Sequence, residues 1–264
     1  MTTLSDRPGH VTVERRRPAS GPHRPTRVLL VPGLAGSAGT WDTLAERCPP
    51  SLDVWVAQPP WVNTGDGRWS RDPDASGWIT EAVLALDEPV DAVVAHSFAA
   101  AMLLELLARP DCPIRPRAVV LVSPFYRARP EDFDWATMAH YLNGFHLILE
   151  EGLRLQPGGR LSPDVRSSLA LRLREYIGPY GWLRFFDAYL RTPFLDAAAV
   201  RPAVLVISGD RDRAAPPTDA RALADALPGS QFELIADCGH FPMAEYPDRM
   251  AALLAAFLDP WSLT

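Results

Sequence analysis

"DAVVAHSFAAAMLLELLAR" (residues 91–109) changes its period halfway along. Its first part is a short run of β-branched and small apolar residues, the composition of a strand buried on both faces, whereas alanine and leucine dominate from Phe98 onward, as in a helix. Ser97 stands at the joint, and Ala95 and Ala99 flank it with little bulk. A sharp strand-to-helix turn needs small residues there and would aim the hydroxyl outward, beside the free amides of a helix N-terminus. That position suits a group on which negative charge develops.

Comparable apolar runs recur along the chain: "RVLLVPG" (27–33), "DVWVAQP" (53–59), "RAVVLVSP" (117–124), "PAVLVISGD" (202–210) and "QFELIAD" (231–237). Their alternation with helical patterns predicts an α/β fold, a doubly wound and mostly parallel sheet. "HVTVERR" (10–16) alternates instead and predicts an antiparallel edge strand. Residues 1–26 read as an N-terminal arm holding that strand, with a linker over 17–25; residues 27–123 and 197–264 read as the core. Between them, 124–196 carries no strong strand signal, is helical in pattern and rich in aromatics, and reads as an inserted helical lid. "QPGGRLSPD" (156–164) divides it into two helical halves. The aromatics should form mostly lid core, with some facing Ser97 as a pocket roof.

Composition removes several functions. At 264 residues and 47% hydrophobic, the chain can fill one large core. The net charge is −6 and the basic residues are scattered apart from Arg15, Arg16 and Arg17, so no nucleic-acid partner is expected. All 26 basic residues are arginine, which excludes a Schiff-base lysine and a P-loop lysine. Cys48, Cys112 and Cys238 are odd in number and lack paired spacing, so neither a disulfide framework nor a zinc site is expected, and a reducing cytoplasm fits. The polar, proline-rich N-terminal stretch lacks the apolar core of a signal peptide, and no run is long enough to span a bilayer; no membrane partner is expected. His140 and His146 are six apart with no acidic or cysteine partner to complete a set. No metal and no cofactor are therefore expected.

In an open parallel sheet, ligands bind beyond the carboxyl ends of the strands. A serine hydroxyl placed there is a poor nucleophile unless a base takes its proton and an acid orients that base. Two later strand ends supply candidates in the order serine, acid, histidine: Asp212 in "SGDRDRAAPP" (208–217) and His240 in "DCGHFPMAEYPD" (237–248). With these, "A-H-S-F-A" (95–99) resembles the nucleophile elbow of the α/β-hydrolase family, with alanine at both usual glycine positions. Asp212 resembles the family's acid loop after the penultimate strand, and His240 its histidine loop. "VPGLAGSAGTW" (31–41) resembles the oxyanion loop, with Pro32-Gly33 where histidine-glycine is common.

The resemblance covers nearly the whole chain. It implies the α/β-hydrolase fold, a catalytic Ser97, Asp212 and His240, and an oxyanion hole made by the backbone N–H groups of Leu34 and Phe98. Asp210, two residues before Asp212, is the alternative acid. His96 adjoins the serine but belongs to the opposite face of its strand, and reads as structural.

These residues predict cleavage of a carboxylic ester or thioester through an acyl-enzyme, on a small-molecule acyl substrate with an apolar portion. The fold hosts other chemistries, so the alternatives are an acyl transferase or cyclase, a thioesterase of secondary metabolism with a carrier protein as partner, a C–C hydrolase and a cofactor-free peroxidase. From another class, the same pocket could serve a ligand-binding receptor or carrier. A dinucleotide reading of Gly33, Gly36 and Gly39 fails on spacing, G-x-x-G-x-x-G rather than G-x-G-x-x-G, and no acidic residue ends the next strand.

Overall fold

Continuous apolar runs pair into a sheet when both faces find helices to cover them, and the chain's central strands are such runs, flanked by more polar strands at the two edges. The structure is a computed structural model that describes residues 11–20, 24–61, 67–155 and 161–262. The first half of the core runs β1 (Thr12–Arg17), β2 (Thr26–Val31), α1 (Asp42–Arg47), β3 (Leu52–Gln58), α2 (Gly77–Leu84), β4 (Ala92–His96), α3 (Phe98–Leu107) and β5 (Ala118–Val122). Two long helices follow, α4 (Trp135–Leu155) and α5 (Pro163–Arg191). The core then resumes with β6 (Ala203–Gly209), α6 (Pro217–Ala226), β7 (Gln231–Ile235), α7 (Pro242–Glu245) and α8 (Pro247–Ser262).

The strands lie in the order β1-β3-β2-β4-β5-β6-β7, all neighbours parallel except the antiparallel pair β1–β3 at one edge. Successive side chains of the central strands go to opposite layers. Leu29, Val31, Val93, Val119 and Val206 join α2, α3 and α6 on one face. Val28, Leu30, Val94, Val120 and Ile207 join α1 and α8 on the other. Each fully buried Leu, Ile or Val contributes roughly 1.5–3 kcal/mol, so a polar residue in these runs is tolerated only at their ends. Ser97 is at such an end.

The edge strand is fastened by charge. Asp53 of β3 is fully buried and accepts from Arg15 Nε of β1 at 2.7 Å, Arg27 Nε of β2 at 3.3 Å and Trp55 Nε1 at 2.9 Å. Burial alone would push its carboxyl up; the two guanidinium groups and the indole reverse that and hold it below the usual carboxylate range. The linker expected over 17–25 lies partly outside the described residues, at 21–23.

The insertion is helical, between β5 and β6. The expected break at 156–164 lies between α4 and α5, with 156–160 outside the described residues; on its far side Ser162 caps α5 by accepting from Val165 N at 3.4 Å. A second break inside α5 was not anticipated. Gly178 has φ +67°, a left-handed value that glycine adopts without strain, and Pro179 follows it. The aromatics divide. Phe125, Tyr141, Phe145, Phe185, Phe186 and Tyr189 are buried together, whereas Trp135, Tyr176 and Tyr180 face solvent, so the expected lid core holds only part of them. Among the described residues, no helix is long and apolar enough to cross a membrane.

Candidate active site

Three strand ends and the loop after β2 converge on Ser97. The chain turns there from β4 into α3 with Ser97 at φ 58°, ψ −119°, a strained conformation for a residue bearing a Cβ. Its N–H donates to Val122 O at 2.8 Å, which ties the turn to the end of β5. Ala95 and Ala99 are completely buried, and their methyl groups fit where the family usually has glycine. Gly33 meets the turn from the β2 loop. A Cβ on it would lie 3.0 Å from Ser97 Cβ and 3.1 Å from His96 O, so this close approach depends on the missing side chain.

Ser97 Oγ lies 2.9 Å from His240 Nε2, and His240 Nδ1 lies 2.8 Å from Asp212 Oδ2. A carboxylate can only accept, so Nδ1 carries the proton, which leaves Nε2 bare to accept from the serine hydroxyl. All three residues are buried. Asp212 Oδ1 accepts the N–H groups of Ala214 at 2.9 Å and Ala215 at 2.8 Å. Burial pushes this carboxyl up, and the charge of and bond from His240, together with those backbone donors, more than offset it, so it is held below the ordinary aspartate value. Asp210 is exposed and points no carboxylate at His240; its N–H closes onto Ile235 O at 3.0 Å. The structure thus brings Ser97, His240 and Asp212 together and leaves Asp210 outside.

Leu34 follows Gly33, which meets the turn, and Phe98 follows Ser97 at the start of α3; neither N–H donates to a backbone acceptor among the described residues. Gln58, at the end of β3, shapes the first of these. It accepts from Ala38 N at 2.7 Å and donates to Gly36 O at 3.3 Å, bracing the loop around Ala35 and its φ of 58°.

Two further side chains hold the histidine loop, and the sequence reading did not give them that role. Glu245 of α7 accepts from Gly239 N at 3.1 Å and from Phe241 N at 3.2 Å, the amides on either side of His240. His96, expected as structural, donates from Nε2 to the His240 carbonyl oxygen at 2.8 Å, since a carbonyl can only accept. Burial, reinforced by the neighbouring His240, pushes the His96 pKa down to about 3, so the ring stays neutral and its tautomer is fixed. The sole sequence signals were an acid five residues after His240 and a histidine adjoining the serine.

The insertion covers this assembly. The Phe125 ring lies 5.7 Å from the His240 ring and packs edge-on to Phe185 at 4.8 Å and Tyr141 at 5.8 Å. Gly152 of α4 presses on Phe241, where a Cβ would stand 3.0 Å from the ring. Beside it, Leu34, Leu149, Leu153, Leu173 and Phe241, together with Thr40 and Thr43, line a cavity of about 110 Å³. His140 and His146 converge on no ligand set; among the described residues, no three His, Cys, Asp or Glu are placed to hold a metal ion.

A model of the alpha/beta hydrolase family matches residues 28–253. No curated protein matches the chain in sequence. Among solved structures, an esterase from Thermogutta terrifontis superposes with a TM-score of 0.62 at 19% identity, covering 96% of this chain and 94% of its own. An enol-lactonase from Burkholderia xenovorans LB400 gives 0.58 at 17% identity, covering 95% and 96%. A bromoperoxidase from Bacillus anthracis gives 0.66 at 18% identity, covering 94% and 95%. At these identities the likeness is one of fold, and the three proteins' names already differ in reaction.

Proposed function

Since the chain belongs to the alpha/beta hydrolase family, we propose that it is a serine hydrolase that cleaves a carboxylic ester or thioester through an acyl-enzyme. The observation that carries this is the unbroken hydrogen-bonded chain from Ser97 Oγ through His240 to Asp212, buried and mounted on a strained turn. As the hydroxyl attacks the substrate carbonyl, His240 Nε2 takes its proton, and Asp212 holds the imidazole tautomer and offsets the charge it gains. The Leu34 and Phe98 N–H groups receive the oxyanion; donors already fixed by Gln58 and by α3 need no reorganisation as that charge appears. His240 then protonates the leaving group, and water, activated by the same imidazole, releases the acid. The leucines and Phe241 that line the cavity beside Leu34 suit an apolar portion of the substrate.

A second reading, acyl transfer, draws on one observation. His240 is 1% exposed and Ser97 7%, beneath an insertion that limits water, and an acyl-enzyme sheltered from water can pass its acyl group to an alcohol, amine or thiol. Mass spectrometry after treatment with a fluorophosphonate tests the nucleophile common to both. Modification at Ser97 in folded protein, absent from Ser97→Ala and from heat-denatured controls, is the expected result. An unmodified Ser97 in a folded protein with ester substrates untouched would sink the reading and favour a binding protein. Added alcohol or thiol acceptors then separate transfer from hydrolysis by the product formed.

A further inference from the structure

The acid loop is held from outside the core. Asp212 Oδ1 accepts the Ala215 N–H at 2.8 Å, and the carbonyl of that same peptide group, Ala214 O, accepts the hydroxyl of Tyr141 at 2.7 Å. A peptide group is planar and trans, so its N–H and C=O point in opposite directions and turn together. Gripping the carbonyl therefore aims the N–H. Tyr141 belongs to α4 of the insertion, is buried, and stands 73 residues ahead of the carbonyl it holds.

Tyr141 is itself braced. Arg127 Nε, on the segment between β5 and α4, donates to Tyr189 Oη of α5 at 3.0 Å, and the two tyrosine hydroxyl oxygens are 3.5 Å apart, the longest link of the row. A guanidinium can only donate and a carbonyl can only accept, so the protons have one order: Arg127 to Tyr189, Tyr189 to Tyr141, Tyr141 to Ala214. Burial pushes both tyrosine hydroxyls up, so each keeps the proton that this order requires. Asp219 Oδ2 of α6 lies 3.3 Å from Arg127 Nε and offsets its charge at the far end. Hydrogen bonds that point the same way polarise one another, and this row runs from a guanidinium to the peptide that faces the Asp212 carboxylate. Phe125 packs edge-on to Tyr141 at 5.8 Å and to Tyr189 at 5.4 Å, which holds the two rings.

We infer that Tyr141 is a positioning residue for Asp212: through the Ala214–Ala215 peptide it sets the direction of the carboxylate that orients His240, so the insertion supports the acid as well as covering the serine. The inference rests on the proposed acyl-enzyme chemistry, in which Asp212 holds the imidazole tautomer. A carboxylate turned away from His240 Nδ1 weakens its hold on the imidazole as that ring gains charge. Proton transfer draws on this bond and substrate binding does not, so the effect falls on kcat.

The test is Tyr141→Phe, which keeps the ring and removes only the hydroxyl, with Tyr180→Phe, at an exposed tyrosine of α5, as control. On an ester or thioester found active with the parent, kcat should fall about tenfold at little-changed KM, the loss expected when a buried carbonyl is stripped of its donor, and the control should match the parent. The rate at which Ser97 takes a fluorophosphonate should fall by a similar factor. In an Asp212→Asn background the same substitution should change that labelling rate by less than about twofold, because the group through which Tyr141 acts is already lost. A kcat within about twofold of the parent overturns the inference, and so does an equal loss in both backgrounds, which marks Tyr141 as a packing residue. If Tyr141→Phe does not fold, Tyr189→Phe, which removes the donor to Tyr141, replaces it with an expected loss of about threefold and the same dependence on Asp212; no loss, or one independent of Asp212, overturns the inference. If Ser97 of the parent takes no fluorophosphonate, the hydrolase reading fails separately and hydrogen exchange reads the loop alone. Faster exchange of the Ala214 and Ala215 amides in Tyr141→Phe than in the control upholds the positioning contact, and equal exchange overturns it.

Discussion

Gly209 ends β6, three residues before Asp212, and it touches the histidine loop where no side chain fits. A Cβ placed there would overlap the carbonyl oxygens of Cys238 and Gly239 and lie 2.6 Å from Cys238 C. Carbon atoms in contact settle at roughly 3.5–4.0 Å, so Gly209→Ala must drive the two loops about 1 Å apart. Both sides of that gap are backbone, and the Arg211 N–H to Cys238 O bond of 2.8 Å crosses it, so no flexible side chain can absorb the change. The displacement falls on the 2.8 Å bond from His240 to Asp212. A 1 Å misplacement of catalytic groups costs on the order of 100-fold in turnover, and overpacking costs about 1–3 kcal/mol of stability. The assay is kcat on an ester found active with the parent, with a thermal melt. Gly229→Ala is the control: that glycine has φ +65° and nothing within 4 Å, so alanine there strains the backbone without touching the site. Turnover of Gly209→Ala within about threefold of the parent, or a loss no larger than in the control, would refute the claim that this contact sets the geometry.

Three further outcomes follow from the same contacts. Asp212→Asn should lower kcat by about four orders of magnitude through the wrong imidazole tautomer, whereas Asp210→Asn should stay within a few-fold; a comparable loss in both would reassign the acid. His96→Phe keeps the ring but removes the donor to the His240 carbonyl, so it should cost about 1–3 kcal/mol in urea unfolding and slow turnover, with part recovered by His96→Gln; full turnover in His96→Phe would make this bond irrelevant to the site. Burial pushes the Asp219 carboxyl up to about 6 despite Arg127 at 3.3 Å. The folded state therefore holds that proton more tightly than the unfolded chain, and its contribution is complete below the ordinary aspartate pKa and lost as pH rises through about 6. Melting of Asp219→Asn relative to the parent should accordingly improve between pH 4 and pH 7. A difference that does not change with pH would contradict this.

The strands and the three residues at their ends were legible in the sequence for one reason. A strand buried on both faces must be a continuous apolar run, so its end is marked by the first polar residue, and in a parallel sheet those ends all lie on one side. Ser97, Asp212 and His240 each follow such an end within five residues, which is why separate stretches of chain pointed to one place. The supports were hidden because they act on backbone atoms. Gln58, Glu245 and His96 hold carbonyl and amide groups of loops distant in sequence or folded back on themselves, and only the tertiary path of a loop determines which of its N–H groups needs a partner. Gly209 was unreadable for the same reason, since its contact is made by a loop nearly thirty residues on.

The insertion shows the limit from the other side. Its aromatic content predicted helices with an apolar face, and α4 and α5 have one, but a helix of that length offers more aromatic positions than one face can bury. Trp135, Tyr176 and Tyr180 are consequently exposed, at 83%, 55% and 63%. The face of α4 that meets the histidine loop carries an unremarkable mixture, with Gly152 against Phe241 and Glu151 beside Gly239, and no motif to mark it. It acquires meaning only where the histidine loop is brought against it. Chemistry confined to strand ends can be read from a sequence, because the sheet fixes where the ends lie; specificity carried between an insertion and a loop requires the fold that brings them together.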